Sequence, residues 1–84
     1  MMYRPLSTIA VEISRLWPRV NFSARPYLDA MMELDTLDDQ YGADDAVSIV
    51  LYFLSDAAGW RGLDARRIKA ELKAMVEDFI GGPL

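Results

Sequence analysis

The stretch AVSIVLYFLSDAA, residues 46–58, decides the fold. At the helical period its apolar residues Ala46, Val47, Ile49, Val50, Leu51, Phe53, Leu54, Ala57 and Ala58 cover most of the circumference. Asp45, Ser48, Tyr52, Ser55 and Asp56 are left as one polar stripe. A helix so nearly apolar all round is expected to be surrounded by other helices. The run is well short of the roughly 20 apolar residues needed to cross a bilayer, so it reads as a core helix. Asp44 or Asp45 is placed to cap its start, where an acidic group favours the positive end of the helix dipole. Gly59 suits the left-handed residue that ends a helix, with Trp60 folding back on Leu54.

Working outward, Gly59–Gly62 is a short turn into a fourth helix. Asp64 is its expected cap and Leu63 with Ile68 its hydrophobic staple. Ala65, Ile68, Leu72, Met75, Val76 and Phe79 repeat at helical spacing until Gly81, Gly82 and Pro83 stop it. Upstream, the acidic segment 35–45 contains Gly42 as a turn residue. A capped turn from Thr36 to Asp39 would carry Leu37 and Tyr41 towards the core. Before it, Ser23 as cap and Phe22 with Tyr27 as staple start a second helix, lined by Tyr27, Ala30, Met31 and Leu34 and widened by Leu28 and Met32. Leu6, Ile9, Ala10, Ile13, Leu16 and Trp17 make a first helix between Pro5 and Pro18. The expectation is an all-α fold, a small four-helix bundle-like single domain over 1–84, with helices near 6–17, 24–34, 45–58 and 64–80 and antiparallel neighbours.

Composition narrows the chemistry. A chain of 84 residues buries only roughly 60 to 65% of its unfolded surface, so its core is small. The absence of cysteine removes disulfides, thiolate metal sites and thiol nucleophiles. The absence of histidine removes the side chain best suited to proton transfer near neutral pH. The N-terminus has no continuous apolar run after Arg4 and does not resemble a secretory signal, so a cytoplasmic location is expected. The net charge of -4 is unevenly spread. Residues 1–26 carry four arginines against Glu12, residues 27–60 carry eight acids and no base, and residues 61–84 carry five bases against four acids. An acidic total argues against non-specific nucleic-acid binding.

Two charged features stand out. Asp38, Asp39, Asp44 and Asp45 lie in the acidic segment. An EF-hand loop needs oxygen ligands at its first, third, fifth and twelfth positions. Counting from Asp38, the fifth position is Gly42 and the twelfth Ile49; counting from Asp35, the third is Leu37. No metal site follows. These acids read as caps and solvated turn residues or, in functional terms, as an acidic docking surface. On the last helix Arg66, Lys69 and Lys73 form a basic ridge, and Arg67 with Glu71 and Lys73 with Glu77 have ion-pair spacing. Arg66 and Arg67 occupy a first turn where the dipole disfavours cations, so the acidic middle of the chain is expected to pair with them. A helix-turn-helix reading of the last two helices is weak, because Asp64 and Glu71 would face phosphates. Trp60 reads as a plug for one end of the fold, which leaves Arg61 as the exposed binding candidate. Ser48 and Ser55 have no histidine to activate them and are expected to bond back to carbonyls one turn earlier. No catalytic residue, cofactor or metal is assigned.

Pro26-Tyr27-Leu28-Asp29-Ala30-Met31, Tyr41-Gly42-Ala43-Asp44, Tyr52-Phe53-Leu54, Trp60-Arg61-Gly62 and Ala65-Arg66-Arg67-Ile68-Lys69-Ala70-Glu71-Leu72 together resemble a pattern in short all-helical proteins of bacteria and bacteriophages. The resemblance carries no known activity and implies only a small accessory protein. The expected function is a non-enzymatic interaction module, a regulator or inhibitor of a protein partner, acting through Asp38, Asp39, Asp44, Asp45 and Arg61. The alternatives are nucleic-acid binding through Arg66, Lys69 and Lys73, and self-association as a homodimer through the wide apolar face carrying Leu28 and Met32.

Overall fold

The structure, a computed structural model, describes residues 3–84. Four helices are present, α1 (Leu6–Leu16), α2 (Arg25–Met31), α3 (Ala46–Asp56) and α4 (Leu63–Ile80), with two short strands, β1 (Gln40–Tyr41) and β2 (Asp44–Asp45), between α2 and α3. The chain is thus mostly helical, with a small antiparallel ribbon that the all-α expectation lacked. Gln40 pairs with Asp45 and Tyr41 with Asp44, around a turn in which Gly42 takes a φ of 63°. Two-residue strands offer no alternation of apolar and polar side chains, so periodicity could not reveal them.

Contacts between the termini of the elements show how the helices run. Trp17, just after α1, stacks on Trp60, between α3 and α4, with ring centroids 5.5 Å apart, and Asn21, ahead of α2, bonds the Asp56 carbonyl at 3.0 Å. At the other end Leu6 and Ser7 donate their N–H groups to the carbonyls of Asp35 and Leu34 at 2.9 and 2.7 Å, and Tyr3 bonds Asp78. Successive helices therefore alternate in direction between a tryptophan end and an end that carries the acidic segment.

The first of these backbone pairings also explains the early end of α2, expected at 34 and observed at Met31. The N–H groups of Glu33 and Leu34 bond the carbonyls of Ala30 and Met31 in a tightened final turn. That turn frees the carbonyls of Leu34 and Asp35 for the first turn of α1, whose preceding residue, Pro5, supplies no side-chain cap.

One apolar cluster holds the helices together, with Phe53, Leu6, Ile9, Ile13, Leu28, Met31, Ile49, Ile68 and Leu72 fully buried and Leu37 and Trp60 joining from the connections. Among the described residues no polar or charged residue is buried. The polar stripe of α3 therefore faces solvent. Tyr52 is 49% exposed and rests on Tyr27, ring centroids 5.4 Å apart. Val47, Leu51 and Leu54 are only half-buried, so α3 is the spine of the core without being enclosed on every side. Leu28 is fully buried and Met32 half-buried, so the face of α2 that suggested a homodimer is largely covered within the chain. No helix among the described residues is long and apolar enough to cross a membrane.

These positions separate two aromatic residues that adjoin in sequence. Phe53→Ala empties a fully buried site and is expected to lower unfolding free energy by about 3–5 kcal/mol in a denaturant titration. Tyr52→Ala removes a half-exposed ring and one aromatic contact, a loss of no more than about 1.5 kcal/mol. Equal losses would contradict the burial assigned to this helix.

Candidate functional site

The tryptophan end is built from inside outward. Trp60 is 5% exposed and lies parallel to Trp17, with an interplanar angle of 5°, while Trp17 meets Phe53 edge-on at 6.3 Å. Trp60 is a plug, as expected, but Gly59 does not take a left-handed φ; the positive-φ glycines are Gly42, Gly62 and Gly81. The end of α3 is closed instead by the Trp60 N–H, which bonds the Ala57 carbonyl at 3.0 Å, together with Lys69. Its Nζ donates to the carbonyls of Ala57 and Trp60 at 2.6 Å each and lies 5.9 Å from the Trp60 ring centroid. A cation there adds a second donor to the Ala57 carbonyl, which also accepts from the Trp60 N–H, and meets the negative end of the helix dipole. Burial, followed by the charge of Arg61, lowers the Lys69 pKa. The basic ridge is therefore interrupted at its middle: Arg66 and Lys73 are exposed, and Lys69 is half-buried and engaged.

Two connections at this end carry apolar residues outward. Asn21 Oδ1 accepts from the Ala24 N–H at 3.1 Å, so Asn21 rather than Ser23 supplies the bond at the start of α2, with Ala24 in the capping position. The staple would then need residues 23 and 28, not Phe22 and Tyr27, and Phe22 is left 96% exposed. At α4 the capping position falls on Gly62, φ 109°, instead of Asp64. Leu63 becomes the first helical residue and is 83% exposed rather than stapled to Ile68. Arg19, Arg61 and Arg66 are exposed at the same end and form no ion pair among the described residues. Trp60, Arg61, Leu63 and Arg66 border an open hollow of about 430 Å³.

The acidic segment divides into structural and free carboxylates. Asp45 caps α3, accepting from the Ser48 N–H at 2.7 Å. Asp39 accepts from the N–H groups of Asp35 and Thr36 at 2.9 and 3.0 Å, closing the turn that buries Leu37. Tyr41 does not follow Leu37 into the core; it is 40% exposed on the ribbon. These backbone bonds hold the Asp39 and Asp45 carboxyls below their ordinary pKa. Asp38 and Asp44 are exposed, and their side chains make no ion pair among the described residues.

Among the described residues Arg67 is the one α4 cation in an ion pair, and it pairs with α1 and its own helix, not with the acidic middle. Arg67 Nη2 lies 3.0 Å from Glu12 and 3.4 Å from Asp64, while Arg4 holds Glu71 through two bonds of 2.7 and 3.0 Å and lies 2.9 Å from Glu12. Glu71 is thereby taken from Arg67, and Glu77 accepts from the Leu84 N–H at 3.0 Å instead of pairing with Lys73. Arg67 first and then Arg4 lower the Glu12 pKa; Glu71 chiefly raises that of Arg4. The serine that bonds back along its helix is Ser14, to Val11 at 2.7 Å, not Ser48 or Ser55. No group of three or more acids that could hold a metal occurs among the described residues. No protein-family model matches the chain, and no curated protein or solved structure matches it either.

Sequence reasoning expected Arg61 to be exposed, which it is, but expected Phe22 and Leu63 to be packed. Both had been assigned to staples, and in both cases the cap sits one or two residues away from the predicted one.

Removing the Lys69 cation while keeping its stem, as Lys69→Met, leaves two carbonyls without their charged donor and is expected to lower unfolding free energy by about 1–3 kcal/mol; an unchanged denaturation midpoint would show that solvent serves them equally well. The depressed Asp45 and Asp39 carboxyls mean that the folded state binds their protons less readily than the unfolded chain. Their stabilisation is complete above about pH 5 and is lost as pH falls past the unfolded-state value of 3.8 and through the lower folded-state values. Asn caps as well as Asp but does not titrate, so Asp45→Asn should keep neutral-pH stability and flatten the acid limb of a thermal-melting profile.

Proposed function

We propose that this protein is a small non-enzymatic interaction module, a bundle-like accessory protein of a bacterium or bacteriophage that regulates or inhibits a protein partner by docking through its tryptophan end. The observation that carries this reading is Phe22, 96% exposed on a connection whose neighbours Trp17 and Asn21 are both fixed to the body of the fold. An aromatic side chain projecting from an anchored turn loses little freedom on binding and suits a pocket on another protein. Leu63 adds a second apolar knob, and Arg19, Arg61 and Arg66 supply a cationic rim, which favours a partner surface that is apolar at its centre and acidic around it. The expected role of the acidic segment narrows to Asp38 and Asp44, since Asp39 and Asp45 are occupied with backbone N–H groups. Nucleic-acid binding through Arg66, Lys69 and Lys73 is the weaker reading, because Lys69 faces two carbonyls of its own chain.

A photo-crosslinking residue placed at position 22 tests the docking surface in cells that encode the protein. Covalent capture of a distinct protein from position 22, and not from the exposed control position Thr8 on α1, is expected. Equal capture from both positions, or none from either, would overturn the assignment.

A further inference from the structure

The end opposite the tryptophans carries the complement of the docking surface. There a hollow of about 580 Å³ has Leu37, Met75 and Phe79 among its apolar lining and Asp35, Asp38 and Asp78 among its polar lining, Asp35 accepting from the Ser7 hydroxyl and Asp78 from that of Tyr3. Phe79 and the adjoining Ile80 are 48% and 51% exposed. Arg4 also borders the hollow, but its charge is committed to Glu71 and Glu12. The two ends thus complement each other in both chemistries: one carries the exposed Phe22 ring and the cations Arg19, Arg61 and Arg66, unpaired among the described residues, against Asp56 and an Asp64 already paired with Arg67, and the other carries apolar lining with three carboxylates.

We propose that a second copy of this chain seats its Phe22 and Arg61 end in the hollow between Leu37, Met75 and Phe79, so that the protein associates head to tail. The inference rests on the tryptophan end being a docking surface and adds what covers that end when no other partner does. The matching surfaces lie at opposite ends of the molecule, so one copy cannot satisfy itself. The 18-residue α4 alone spans about 27 Å between them. A contact that joins two different surfaces leaves one of each unused at the ends of every assembly, and it grows as an open chain unless the rotation happens to close a ring. The charges on the two surfaces steer the encounter, and salt weakens it. Self-association and partner binding then compete for Phe22, and dilution of the protein favours the partner.

Sedimentation velocity on the full chain over a range of concentrations, at low and at high salt, tests this with two surface variants. Wild type is expected to show an average mass that climbs steadily with concentration and falls with added salt. Phe22→Ser keeps the hollow and loses the knob; Asp38→Lys keeps the knob and reverses part of the rim. Both positions are exposed, so both variants are expected to fold. Each alone should stay monomeric, and an equimolar mixture should form a heterodimer and stop there, because only one productive junction remains. A wild type that is monomeric throughout, a wild type that forms only a discrete dimer, or a mixture that gives no heterodimer would overturn the proposal. If crosslinking from position 22 still captures a different protein while wild type remains monomeric, the head-to-tail inference alone fails. If neither occurs, the docking surface fails with it.

Discussion

Lys69 reaches from α4 to the carbonyls of Ala57 and Trp60, and this contact decides how two of the four helices meet. A helix leaves its last carbonyls without partners; beyond α3 the Trp60 N–H turns back onto the Ala57 carbonyl at 3.0 Å without a left-handed glycine, and Lys69 adds a charged donor to the same oxygen. With the cation in place the chain can turn sharply after α3. Trp60 is set down on Trp17, and α4 begins at Leu63 with its first turn beside the end of α3. The same economy operates at the opposite end, where the carbonyls of Leu34 and Asp35 serve the first N–H groups of α1. In a fold with no buried polar side chain among its described residues, specificity of arrangement comes from how helix ends are closed, while the apolar cluster supplies most of the cohesion.

Charge has a comparable division of labour. Arg4, Glu12, Arg67 and Glu71 bind α1 to α4 in alternating sign, which ties the N-terminal stretch to the last helix. Such exposed and half-exposed pairs add little stability individually, but as a chain of four they fix the register of two antiparallel helices. Of the five arginines outside this chain Arg25 lies 3.8 Å from Asp29, while Arg15, Arg19, Arg61 and Arg66 lie towards the tryptophan end; that end also holds Asp56 and Asp64, and Asp35, Asp38 and Asp78 lie at the other. The uneven spread of charge along the sequence thus becomes a polarity across the molecule.

The helices themselves were legible because their periodic apolar positions, Ile9 and Ile13, Ile49 and Phe53, Ile68 and Leu72, are also the buried ones. Helix boundaries were less so. Ser23 and Asp64 are good capping residues in the wrong place: Asn21 bonds Ala24 from three residues away, and Gly62 reaches a φ of 109° that makes it the boundary of α4. Since a staple is counted from its cap, these small displacements turned Phe22 and Leu63 from packed residues into exposed ones. Pairings between distant segments, such as Arg67 with Glu12 across 55 positions, could not be read from spacing, which sees only neighbours on one helix. The ribbon escaped for the opposite reason, being too short to have a period.

Both tryptophans of the chain, Trp17 and Trp60, sit in one stacked pair at the tryptophan end, beside a lysine ammonium and beneath the connections that carry Phe22 and Arg61. The four tyrosines are distributed elsewhere: Tyr27 and Tyr52 against each other on α2 and α3, Tyr3 and Tyr41 in the acidic half. The protein therefore has a built-in optical asymmetry. Excitation at the red edge, beyond the tyrosine band, addresses a single locality, so the emission it yields and the dichroism at those wavelengths report on that locality alone, without a dye and without altering a residue.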